Sequence, residues 1–131
     1  VSTSVPSVLG AANGRGDGTL DIDTRTQDGV EIVTLTGRLC MGQPLDRFNS
    51  TVGELLRQSR NKIVLDVEQV PTIDSSGIGL LVRYLTTAKQ SGGNIHLLKP
   101  SKFTVQTLKM VGVLNLFATY EDLSKAVASF Q

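Results

Sequence analysis

The chain has 131 residues, enough for one hydrophobic core and too few for two ordinary domains. Its 40% apolar and 19% charged residues fit a folded protein, and 13 basic against 12 acidic side chains, with no Lys/Arg-rich block, exclude nucleic acid as an expected partner. The single Cys40 rules out an internal disulfide, and with only His96 beside it there is no metal-ligand cluster; no apolar run is long enough to cross a bilayer, so no membrane contact and a cytoplasmic location are expected.

Residues 1–18 are rich in Ser, Gly, Ala, Val and Asn without periodicity and read as a flexible leader. Arg15-Gly16-Asp17 within it is a tripeptide that recurs by chance. From Leu20 the pattern changes. Leu20, Ile22, Thr24 and Thr26 alternate with Asp21, Asp23 and Arg25, as in a strand with one wet face. Asp28-Gly29 supplies a turn, and a second strand, Val30 to Leu39, completes a hairpin. Pro44 opens a helix striped by Leu45, Phe48, Val52, Leu55 and Leu56 that ends near Ser59. Ile63 to Val67 reads as a central strand. A second helix, with Ile78, Leu81, Val82, Leu85 and Ala88 on its buried side, stops at Ser91-Gly92-Gly93. Asn94 to Leu98 is a further strand, with His96 expected to be an ordinary, partly exposed residue in it. Pro100 and Ser101 open a third helix that turns Val105 and Leu108 inward and ends at Gly112. A short last strand at Phe117 to Thr119 and a closing helix with Leu123, Ala126, Val127 and Phe130 complete the order ββαβαβαβα. Residues 19–131 are therefore expected to form one α/β domain, a mixed β-sheet of about five strands with about four helices, the later strands parallel.

The segment Val70-Pro71-Thr72-Ile73-Asp74-Ser75-Ser76-Gly77-Ile78-Gly79-Leu80 joins a buried strand to an amphipathic helix. Asp and Ser at this point are most often caps. Two hydroxyls after a carboxylate, where a first helical turn leaves N–H groups unpaired, can also hold an anion. Gly77 and Gly79 each cost a helix interior roughly 0.8 to 1 kcal/mol relative to Ala, which suggests that something near the turn needs room.

In this segment the chain resembles the STAS family, named for sulphate transporters and anti-sigma factor antagonists. The likeness extends from Leu20 to Phe130 and is carried by Leu35-Thr36-Gly37-Arg38-Leu39, Ile63-Val64-Leu65-Asp66, Ile73-Asp74-Ser75-Ser76-Gly77-Ile78-Gly79, Gly92-Gly93 and the tail from Leu108 to Leu116. The resemblance implies an anti-sigma factor antagonist whose phosphoacceptor is the Ser after the Asp, Ser75. Asp74, Ser76 and Gly77, with Gly37, Arg38, Cys40 and Met41 of the neighbouring loop, become the partner-binding residues. It further implies an anti-sigma factor that is itself a Ser/Thr kinase as partner, a PP2C-like phosphatase that restores the unphosphorylated state, no cofactor, no metal and no enzymatic activity. One departure stands out: members of this type commonly continue Gly-x-Leu with Asp, whereas Gly37-Arg38-Leu39 is followed here by Cys40-Met41-Gly42. The change removes a negative charge from the implied docking surface and leaves Arg38 there.

Two other readings differ in class. Hydrolysis would make Ser75 or Ser76 a nucleophile, yet the chain has no G-x-S-x-G elbow and no phosphate loop, and His96 is its only imidazole. A STAS subunit that docks constitutively on a transporter or signalling assembly would be indifferent to a charge at Ser75, unlike a switch.

Overall fold

The computed structural model describes residues 19–131; the leader expected at 1–18 lies outside them. Strands β1 (Leu20–Gln27) and β2 (Val30–Gly37) form the expected hairpin, antiparallel from Leu20↔Gly37 to Gln27↔Val30. Its two-residue turn places Asp28 and Gly29 at φ 53° and 80°, the left-handed pair whose twist matches that of the strands. Strands β3 (Lys62–Gln69), β4 (Asn94–Leu98) and β5 (Thr119–Tyr120) then join in parallel, each beside the last, to give a five-stranded sheet of order β1-β2-β3-β4-β5.

Helix α1 (Gln43–Arg57) connects β2 to β3, α2 (Ser75–Gln90) connects β3 to β4, and α3 (Lys102–Met110), with a 3₁₀ turn at Leu114–Leu116, connects β4 to β5. Three crossovers between neighbouring parallel strands step in one direction across the sheet, and their helices share one core on one face, as crossovers of a single hand require. The main core lies there: Val33, Leu35, Ile63, Leu65, Ile95 and Leu97 of the sheet meet Phe48 and Val52 of α1, Leu81 and Leu85 of α2 and Leu108 of α3. The closing helix α4 (Leu123–Ala128) lies on the other face, where Ala126 and Val127 pack with Val30, Ile32, Val64 and Leu98. Beside this smaller core the face is polar, with Thr34 and Asp66 half-buried.

Four expectations need correction. The second strand ends at Gly37, not Leu39, because Gly37 takes φ 127° against the Thr19 carbonyl and turns the chain out of the ladder. The last strand is Thr119–Tyr120 and not Phe117 to Thr119; Phe117 is drawn into the main core at the end of the 3₁₀ turn. In α3 it is Thr104, not Val105, that is buried with Leu108, since Ser101 caps the helix by accepting from the Thr104 N–H at 3.1 Å and turns that residue inward. His96 is 6% exposed rather than partly exposed. It stacks on Phe130 at 4.2 Å between ring centroids, with Nδ1 2.8 Å from the Ser129 hydroxyl, because its place on β4 faces α4.

Candidate functional site

Beyond Gly37 the chain runs past the end of β2 and meets the loop that follows β3. Leu39 and Ile73, both buried, form a single parallel bridge. The Leu39 N–H donates to the Thr72 carbonyl at 3.1 Å, and the Asp74 N–H donates to the Leu39 carbonyl at 3.2 Å. Two loops distant in sequence are thereby held side by side at the carboxyl ends of two parallel strands.

Asp74 locks the arrangement with its side chain. One carboxylate oxygen accepts from the Gly77 N–H at 2.8 Å and caps α2; the other accepts from the Met41 N–H at 3.0 Å, across 33 residues of sequence. A residue read as either cap or site residue is thus a cap and a clamp together. Gly77 has its explanation within the protein. A β-carbon there would stand 2.5 Å from the Leu39 carbonyl oxygen and 2.9 Å from Ile73 Cγ1, so the room this glycine provides is filled by the neighbouring loop. Gly79 differs: it is exposed, and nothing lies within 4 Å of where its β-carbon would be.

The clamp presents Ser75 as the first residue of α2, exposed, with Ser76 half-buried beside it. Asp74 satisfies the third N–H of the helix, and those of Ser75 and Ser76 belong to the turn that a helix leaves unpaired. Ser75 and Ser76 share a helix face with Gly79, and one turn further Arg83 is exposed on the same side. On the adjoining loop Arg38 is exposed, Cys40 is half-buried, and Met41 is 71% exposed although its N–H is held by Asp74. The structure therefore brings Asp74, Ser75, Ser76 and Gly77 to one helix start with Met41 of the adjoining loop held there; Arg38 and Cys40 flank the bridging Leu39 in sequence, and Gly37 lies at the end of β2 against Thr19 and Leu20. What the sequence left unread is the Leu39–Ile73 bridge that joins them, because each partner carries only the signal of an ordinary apolar residue.

Such a site offers an exposed hydroxyl to an external reagent. The only imidazole, His96, faces α4 across the sheet from α2. Burial, and to a lesser extent the positive charge of Lys89, holds its pKa below the ordinary histidine value. No helix among the described residues is long and apolar enough to cross a membrane.

The family model described as STAS domain matches residues 21–126. A Thermotoga maritima protein named as a candidate anti-sigma factor antagonist is 30% identical over 74 residues, which span 56% of this chain and 66% of that relative. A crystal structure of a candidate anti-sigma factor antagonist from the same organism superimposes with a TM-score of 0.77 at 25% identity, covering 83% of this chain and 93% of the other. The Bacillus cell fate determinant SpoIIAA in its phosphorylated form shares the fold, with a TM-score of 0.68 at 18% identity and coverage of 84% and 99%.

Proposed function

Because this chain belongs to the STAS domain family, we propose that it acts as an anti-sigma factor antagonist whose hold on its partner is switched by phosphorylation of Ser75. The partner is an anti-sigma factor with Ser/Thr kinase activity, and a PP2C-like phosphatase reverses the modification. One observation carries this reading: Ser75 is exposed at the first position of α2, on a turn capped by Asp74, whose carboxylate also holds the exposed Met41 of the adjoining loop. A kinase can reach that hydroxyl without unfolding anything, and a partner seated on the same turn would cover it.

A phosphate at Ser75 adds about −1.5 to −2 charges and three acceptor oxygens beside the free N–H groups of the helix. The helix end favours that charge by roughly 0.3 to 1 kcal/mol at an exposed site. The modification therefore acts on the partner and not on the fold. Cys40 stands where family members of this type commonly carry Asp, so the loop adds no negative charge of its own, and Arg38 draws the surface toward an acidic partner patch.

The test is phosphopeptide mapping after incubation with ATP and anti-sigma factor kinases from the same genome. Most of the phosphate is expected on Ser75, and Ser75→Ala should remove it; phosphate on Ser76 or Thr72 instead would overturn the assignment.

A further inference from the structure

Two adjoining hollows, of about 540 and 680 Å³, lie along α3 and share Val105 as a common wall; Thr119 of β5 lines the first, and Glu121, just after β5, lines the second. They sit at the edge of the sheet remote from β1, since among the described residues β5 is paired on its β4 side only. There the Leu97 N–H donates to the Ala118 carbonyl at 2.9 Å and the Lys99 N–H to the Tyr120 carbonyl at 2.7 Å. Backbone polar groups alternate in direction along a strand. The N–H and C=O of Thr119, between those two, consequently point away from β4, over the open edge.

The lining of the hollows is largely apolar, with Val105, Leu114 and Phe117 in the first and Pro100, Phe103 and Val105 in the second. Helix α3 buries only Thr104 and Leu108, and Phe103 is exposed beside the second hollow. Lys102 and Lys109 line the two hollows and have no ion pair among the described residues. They are separated by about 10 Å along the helix. Glu121 stands in the hollow with Lys102 and offsets that charge, so the uncompensated cation is at Lys109. A free strand edge facing a helix, with an apolar hollow between, is the arrangement that accepts an extended peptide by strand addition.

We infer that the channel between α3 and the β5 edge takes an extended segment of a partner protein, paired backbone to backbone with Thr119, with an apolar side chain over Val105 and a carboxylate at Lys109. Side chains on one face of a strand recur about every 6.6 Å. The apolar residue and the acid therefore stand two positions apart in the bound segment. This surface is distinct from the α2 start and does not depend on the role given to Ser75.

The probes are the eight-residue peptide Thr-Val-Thr-Glu-Thr-Val-Thr-Glu and its counterpart with Lys in place of Glu, each titrated into the ¹⁵N-labelled full chain and followed by amide shifts. Saturable shifts are expected at Val105, Lys109 and Ala118 to Tyr120 with the Glu peptide, with the Lys peptide at least about fivefold weaker. Lys109→Glu should reverse that preference. Thr119→Pro should abolish binding of both peptides while keeping the β4 ladder, because the lost N–H is not in it. Should that variant fail to fold by circular dichroism, the reversal at Lys109 decides alone. Absence of saturable shifts at these amides, or a preference unchanged by Lys109→Glu, overturns the inference. Shifts of the same amides on raising protein concentration without peptide also overturn it, by giving the edge to a second copy of the chain.

Discussion

At Asp74 one carboxylate satisfies a helix N–H and a loop N–H at once, so its removal releases both. Asp74→Ala is expected to cost about 1 to 3 kcal/mol, combining a lost cap with a lost charged hydrogen bond at a partly exposed place. Urea denaturation measures the loss, and the Met41 amide should move in the same variant; a change under about 0.5 kcal/mol would mean that the carboxylate holds neither element. The two glycines of α2 make a sharper contrast. Gly77→Ala drives a methyl group against the Leu39 carbonyl and should destabilise by about 1 to 3 kcal/mol. Gly79→Ala meets open space and should stabilise the helix by up to about 1 kcal/mol. If both changes proved equally harmful in melting experiments, the separate explanations given to these residues would fail. Should Gly79→Ala weaken partner binding while raising stability, the open surface beside Ser75 and Ser76 is part of the docking face.

Helix α4, with 6 residues, is held against the sheet by a small core and, through Ser129 and Phe130 just after it, by His96. Burial favours the neutral imidazole, so the folded protein binds the His96 proton less readily than the unfolded chain. Stability should therefore be full above the unfolded value of about 6.5 and decline as pH falls below it toward the lowered folded value. Melting temperatures of wild type and His96→Gln between pH 7.5 and 5 check this: the wild type should lose more, and parallel curves would contradict it. Nothing in the sequence around His96 told of its burial, since Ile95, Leu97 and Leu98 show a buried strand without showing which face the closing helix covers. The long periodic elements were legible for the opposite reason. Asp28-Gly29 between alternating runs, and the stripes of Phe48, Val52 and Leu55 in α1 or Leu81 and Leu85 in α2, are local signals that tertiary contacts reinforce. Phe117 and Val105 were misplaced because a single 3₁₀ turn and a helix cap, each a matter of a few residues, decide which side chain faces inward.

Across the whole molecule, the parallel order of β2, β3 and β4 brings the loop after β2 and the start of α2 to the same end of the sheet. The Asp-Ser-Ser-Gly block was legible as a candidate site because it lies within one segment. Its contact with Met41 was not, because it joins residues 33 apart in sequence and depends on how β2 and β3 are paired. The resulting surface is rigid underneath and exposed above, which suits a switch that alters recognition without altering fold. Ser75→Asp should accordingly leave the melting temperature within a few degrees of wild type, and amide shifts should be confined to the first turns of α2 and the loop from Arg38 to Met41. Shifts spread through the sheet would mean refolding. For the partner the balance is different: a unit charge placed about 6 Å from a like charge costs roughly 3 kcal/mol at an effective dielectric of about 20, which is on the order of a hundredfold in affinity. A calorimetric titration of the proposed kinase partner with the unphosphorylated and the Ser75-phosphorylated protein measures that cost directly: binding weakened on the order of a hundredfold by the phosphate is the predicted result, and equal affinity for the two forms would contradict a switch at Ser75.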